Sequence, residues 1–254
     1  RPIDYAGAAV LVVATAPLII GTLDEPFDLN PATGRSGKEY SYLKAIYATL
    51  IDYDPATLLP APGLAESFGF RGEDELEFFA TLRPDLHFSD GTPLDAEAAK
   101  ASLDYFIEAG VRADLDPVEE IVVEDDLTLV FQLSAPYAAL PAILADRAGM
   151  LISPTAIEEY GETLADNPVG AGAYALVEWV KGVSMELVAN EYYWAGPTGY
   201  PGLDIRMYQD EGAVISALTA RQVDFAYPLS AEQLPVLEAN PRLEITADDS
   251  VAFK

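Results

Sequence analysis

The 254-residue chain carries 14 basic against 42 acidic side chains, a net charge of −28, and half of its residues are hydrophobic. That apolar fraction supports a packed core, whereas basic residues so few and scattered exclude nucleic-acid binding through phosphate neutralisation and argue against docking on an anionic membrane. With no cysteine and one histidine, His87, there can be no disulfide, thiolate metal site or cysteine nucleophile, nor any mechanism that needs two histidines.

The length allows one large or two small domains, at about 100–200 residues each. Residues 6–20 are almost all apolar, interrupted by Thr15 and Pro17, and fall short of the roughly 20 residues a membrane span needs. The run reads either as the tail of a secretory signal, with Ala14-Thr15-Ala16 shaped like a cleavage site, or as buried strands at Val10–Val13 and Leu18–Thr22. Asp4 stands where a signal would be positive, and the strand is the expectation for Leu18–Thr22.

Leu23 to Thr33, with two prolines and several Asx residues, is a loop. Tyr40, Leu43, Ile46, Tyr47 and Leu50 recur at helical spacing and predict a helix over 38–50. Residues 52–63 read as a Pro-rich connector and 76–82 as a strand. Asp95 opens a helix running to Ala109, a half capping box with Ala98 in place of an acidic residue. A hairpin is expected from 121–123 and 127–133 around Glu124-Asp125-Asp126, then helices at 140–148 and 154–160. A second hairpin, 173–180 and 184–189, turns at Lys181-Gly182. Strands at 205–208 and 223–227 then alternate with helices at 211–220 and 231–239, and further strands are expected at 243–246 and from Val251. The pattern suits two α/β units, one inserted into or following the other.

Most chemical motifs fail on inspection. Ser41-Tyr42-Leu43-Lys44 matches the S-x-x-K of penicillin-recognising enzymes, but no K-T-G accompanies it. Gly170-Ala171-Gly172 lacks the third glycine of a dinucleotide fingerprint, and Gly34-Arg35-Ser36-Gly37-Lys38 is one residue short of a P-loop. Nothing singles out one carboxylate pair for glycosidase-type chemistry. His87 lies between Leu86 and Phe88 in a turn, as a half-buried structural residue would. The sequence therefore offers no catalytic set, no metal site and no cofactor motif.

Six strings in order carry a resemblance. Leu29-Asn30-Pro31 follows Asp24-Glu25-Pro26, and Pro62-Gly63-Leu64-Ala65-Glu66-Ser67 precedes Leu82-Arg83 and Phe88-Ser89-Asp90-Gly91-Thr92-Pro93-Leu94. Next come Asn167-Pro168-Val169-Gly170-Ala171-Gly172-Ala173-Tyr174, then Asn190 with Tyr192-Tyr193-Trp194 and Gly196, then Ala217-Leu218 with Val223-Asp224-Phe225-Ala226. Together they resemble the family 5 extracellular solute-binding proteins, the oligopeptide, dipeptide and nickel receptors of ABC importers. Departures are Ala171 and Ala173 where the family prefers Thr and Pro, and Gln222 where it has Gly.

The resemblance implies an α/β fold of the type II periplasmic-binding-protein kind. A first lobe, residues 1–41 and 160–254, would hold an inserted smaller α/β domain, 42–159, with the second lobe absent. It implies a non-enzymatic receptor, of which this chain would supply one wall of a two-lobed cleft, for a small ligand such as an oligopeptide. A nickel-chelate or oligosaccharide receptor is the alternative within the family, and an acid-pair hydrolase the alternative of another class. By the same resemblance the loop Glu25-Pro26-Phe27-Asp28 runs alongside ligand, where its backbone could pair with a peptide as an added strand and Glu25 could meet a basic group. Tyr227 would be a cleft tyrosine, and Asp249-Ser250-Val251 would sit at the hinge edge, with Ser250 toward ligand. The implied setting is monomeric and outside the cytoplasmic membrane, tethered in the full-length protein, with an ABC permease as partner and no cofactor.

Overall fold

The computed structural model describes residues 14–111 and 113–245. The strands expected at Val10–Val13 and from Val251, and the proposed Ser250 position, lie outside the described residues. The order of elements begins β1 (Leu18–Thr22), α1 (Tyr40–Ile46), the hairpin β2 (Ile51–Tyr53) and β3 (Pro60–Pro62), then β4 (Ala65–Arg71) and β5 (Glu77–Leu82). It continues with α2 (Ala96–Ala109), β6 (Val118–Asp125), β7 (Thr128–Leu133), α3 (Leu140–Ile143) and α4 (Pro154–Tyr160). The last part holds β8 (Tyr174–Val180), β9 (Ser184–Ala189), β10 (Gly202–Met207), α5 (Glu211–Thr219), β11 (Phe225–Ala226) and α6 (Leu234–Glu238).

Two sheets organise the chain. One has the order β4-β5-β7-β6, all antiparallel, and α2 packs across β6 and β7. Its core centres on Phe78, whose ring meets Phe70 at 5.0 Å, Phe131 at 5.9 Å and Phe68 at 6.2 Å. Such offset and edge-on contacts suit the ring quadrupole. The other sheet has the order β11-β1-β10-β9-β8, with β1 parallel to both neighbours and β8, β9 and β10 antiparallel in turn. Its inner face, with Met185, Leu187 and Ile205, packs with Leu43, Ile46 and Tyr47 of the α1 region. β10, α5 and β11 thus form a crossover unit straddling β1.

Local chemistry explains the elements. Asp95 caps α2 by accepting from the Ala98 amide, and Gly110 closes the helix at φ 62°, where a side chain is strained. Asp210 caps α5 in the same manner, through the Ala213 amide. In the Phe88–Leu94 string, Asp90 accepts from the Thr92 amide and hydroxyl and from Ser153 Oγ, so the turn is locked to the chain before α4. Tyr192 lies against Gly91 and its ring is 5.6 Å from that of His87, whose Nδ1 is 3.1 Å from the Asp85 carbonyl oxygen. These motifs are scaffold.

Three expectations are corrected. The helix predicted to Leu50 stops at Ile46, because residues 47–51 turn extended and pair with 144–150: Leu50 N donates to Gly149 O and Ile51 N to Leu144 O. Leu50 is buried all the same, so its spacing reported burial rather than helix. The connector at 52–63 contains the β2–β3 hairpin, tolerated because its prolines sit in a two-stranded edge ribbon. Residues 243–245 form no strand.

Candidate functional site

The parallel strands end together. Gly21 O accepts from Tyr227 N at 3.1 Å and Thr22 O from Tyr208 N at 2.8 Å, so the last carbonyls of β1 are held by the chain leaving β11 and by the chain leaving β10. A strand flanked in parallel by both ends of a later β-α-β unit is a switch point, and crevices beyond the carboxyl ends of such strands are where open α/β sheets bind ligands. The loop after β1 and the segment after β11 frame this end.

The loop is held from several sides. Asp24 N donates to Thr22 Oγ1, the buried Tyr42 hydroxyl donates to Asp24 O at 2.5 Å, and Lys38 pairs with Asp24 at 2.9 Å. Further along, Tyr47 donates to Leu29 O and Asn30 Nδ2 to the Tyr105 hydroxyl. Between these anchors no backbone hydrogen bond ends on Glu25, Pro26 or Phe27 among the described residues. The segment is therefore a fixed stretch of chain with unspent main-chain groups.

The four loop residues play different parts. Pro26 is buried. Glu25 Oε1 accepts from Gly182 N at 2.5 Å, hooking the loop to the β8–β9 turn. Asp28 is consumed locally, one oxygen accepting from Asn30 N at 2.7 Å and the other from Thr33 Oγ1 at 2.6 Å. Phe27 is 78% exposed and Tyr227 58% exposed, so two large aromatics stand in water at the same end of one sheet. The Tyr227–Pro228 peptide is cis. Sequence reasoning missed the supports Thr22, Tyr42, Gly182 and Tyr208. Tyr42 was in view only as part of the S-x-x-K string, where Ser41 is exposed and the Lys44 ammonium is engaged by Thr49 and Asp52.

Burial, against a smaller opposing hydrogen bond, pushes the Tyr42 phenol from 10.0 up to about 12. A raised pKa in the folded state means a contribution that is whole below the unfolded value of 10.0 and drains away as pH climbs toward 12. Tyr42→Phe is expected to cost about 1 kcal/mol at neutral pH by losing the bond to Asp24. It also removes one late-titrating phenol, and an ultraviolet phenolate titration beside thermal melts checks both. An unchanged titration curve would refute the assignment.

Among the described residues no group of three or more His, Asp or Glu side chains could hold a metal ion, and no helix is long and apolar enough to cross a membrane. Residues 60–253 match the family model described as bacterial extracellular solute-binding proteins, family 5 Middle. The chain belongs to this family. Among similar proteins, the glutathione-binding protein GsiB of Pectobacterium atrosepticum is 30% identical over 260 residues, covering 100% of this chain and 48% of the relative. The probable D,D-dipeptide-binding periplasmic protein DdpA of Escherichia coli K12 is 27% identical, covering 90% and 46%. The solute-binding protein MoaA of A. tumefaciens R10, solved with mannopinic acid, superposes with a TM-score of 0.82 at 24% identity, covering 90% of this chain and 48% of that one. The chain thus spans about half the length of the curated relatives it matches, and the fold expected from the sequence motifs is the family 5 fold.

Proposed function

We propose that this chain forms one wall of the ligand cleft of an ABC-importer receptor, and that the ligand is a short peptide. The observation that carries the reading is the end of the five-stranded sheet, where a fixed segment with free main-chain groups carries exposed Phe27 and the neighbouring strand β11 leads into exposed Tyr227. Such a segment can pair with an extended peptide backbone while the two rings cover its side chains. The named ligands of two relatives, glutathione and a dipeptide, agree with this class. Glu25, though hooked to Gly182, keeps a carboxylate on this wall for a basic group, and Pro26 and Asp28 serve by fixing the loop. Ser250 would add a hydroxyl from the hinge edge.

In this reading residues 1–41 and 160–254 form the first lobe and 42–159 the inserted domain. The protein acts as a monomer outside the cytoplasmic membrane, tethered there, and delivers ligand to a permease without chemical change. The opposing lobe would close over the wall and exclude water from its polar contacts.

Titration calorimetry with glutathione and a panel of dipeptides and tripeptides tests the wall. One saturable site per chain is expected, weakened at least about tenfold by Phe27→Ala or Tyr227→Ala, in line with the loss of a stacked aromatic anchor. Because both rings stand in water, neither substitution should move the melting temperature. Binding that survives both substitutions would overturn the placement of the site, and turnover of the peptide would overturn the receptor reading.

A further inference from the structure

A second cleft, of about 380 Å³, lies at the amino end of β11, where Leu218 and Arg221 at the end of α5 meet Val223, Asp224, Asn240 and Arg242. It is at the other end of β11 from Tyr227, and its volume falls within the range of small-molecule sites, about 300–1,000 Å³.

The distribution of cations marks this cleft. Among the described residues, seven lysines and arginines pair with a carboxylate within 3.2 Å, as expected where acids outnumber bases threefold. Arg83 lies over Trp194 and donates to Gly63 O. Among the described residues the guanidiniums of Arg35, Arg221 and Arg242 have no partner, and two of these three arginines line one cavity. The acid in the lining is spoken for, since Asp224 Oδ2 accepts from Ile19 N at 3.0 Å. Arg206 reaches the same corner, donating to Gln222 O at 2.8 Å, but its charge is matched by Asp204 at 2.6 Å, so the positive excess of the lining is that of Arg221 and Arg242 over Asp224.

Arg221 also holds a costly conformation. It follows the cap of α5 at φ 59°, with Gln222 N returning to Ala217 O, a helix ending that ordinarily takes glycine. A large side chain kept in that region points to a use for the side chain. Asn240 Oδ1 accepts from Arg242 N and fixes the loop that carries the second guanidinium. Leu218 and Val223 supply an apolar floor.

We propose that this cleft binds a small organic polyanion of the di- or tricarboxylate class, with Arg221 and Arg242 gripping separate carboxylates through paired N–H donors. The site does not depend on the peptide reading of the other end of the sheet.

Calorimetry on the whole chain at low salt, with citrate and inorganic phosphate as probes, tests it. One citrate per chain is expected, with affinity falling as salt rises and falling at least about tenfold in Arg221→Gln or Arg242→Gln, each the loss of a bidentate charged contact. Tyr227→Ala should leave citrate binding unchanged. Arg221→Gly separates binding from folding, since it should raise the melting temperature by relaxing the helix ending while losing citrate. Absence of citrate heat from a chain with an intact melting transition overturns the site, as does wild-type citrate affinity in either arginine variant. Phosphate bound as tightly as citrate overturns the polycarboxylate assignment.

Discussion

Arg147→Met is expected to destabilise the protein by about 3–5 kcal/mol, the range for breaking a buried ion pair by removing one partner. Arg147 and Glu39 are 6% and 2% exposed, with Nη1 3.2 Å from Oε2. The guanidinium also donates to Ser36 O and lies 6.0 Å from the Tyr40 ring, while Glu39 accepts from Ser36 N in a capping box. One pair thereby pins the chain before α1 to the chain after α3. Removing the cation leaves a carboxylate in the dry interior, whereas removing both charges does not. Glu39→Leu combined with Arg147→Met should therefore recover much of the loss. At about 2–4 °C per kcal/mol for a chain of this size, the single variant should melt on the order of 10 °C lower. A single-variant cost below about 1 kcal/mol, or a double variant worse than the single, would refute this account of the pair.

Gly170→Ala should cost about 3 kcal/mol, the upper end for overpacking, because the obstacle includes backbone. A Cβ there would lie 2.4 Å from Tyr47 Cδ1 and 2.5 Å from Ile46 O. Gly172 is similarly placed, 2.4 Å from the Ile46 carbonyl carbon, and its own N–H donates to Ile46 O. The segment also holds Ser89 N through Gly170 O and Asn190 Nδ2 through Gly172 O, so it ties the end of α1 to two distant turns. Urea melts of Gly170→Ala and Gly172→Ala, with Ala171→Gly as the neighbouring control, measure this. Wild-type midpoints in both would mean that the close approach is not needed.

The role of these two glycines could be suspected from the sequence, since they stand in one of the six family strings. Gly149 could not, although its Cβ would fall 1.8 Å from Leu144 O. Nothing local marks it, and the constraint arises only when residues 47–51 fold against 144–150. The same distinction runs through the elements. β1, α4 and the second hairpin carry their signature in their own residues and read correctly to within a residue or so. β4 was missed because an edge strand of mixed polarity, Ala65–Arg71, shows alternation only at Phe68 and Phe70, the two rings that reach Phe78. At the site, Phe27 and Tyr227 were nominated through the family resemblance, and their exposure is a property of the fold. The hook from Glu25 to Gly182 spans 157 positions and the support from Tyr42 to Asp24 spans 18, and neither has a signature in the sequence. The paired acids and orphan guanidiniums are equally a matter of which charges the fold brings together.

The placement of β1 also governs the order in which the molecule can assemble. Its partners come much later in the chain, with Ile19 and Asp224 bonded across 205 positions, whereas β4 to β7 find each other within one stretch. During synthesis the antiparallel sheet can close while β1 still waits with both edges open. Loop closure over such a span slows folding, and an unpaired aliphatic strand is the kind of surface on which chains associate wrongly. Prompt arrival of the segment that carries β10 and β11, or a holding chaperone until it arrives, therefore favours correct assembly of the sheet.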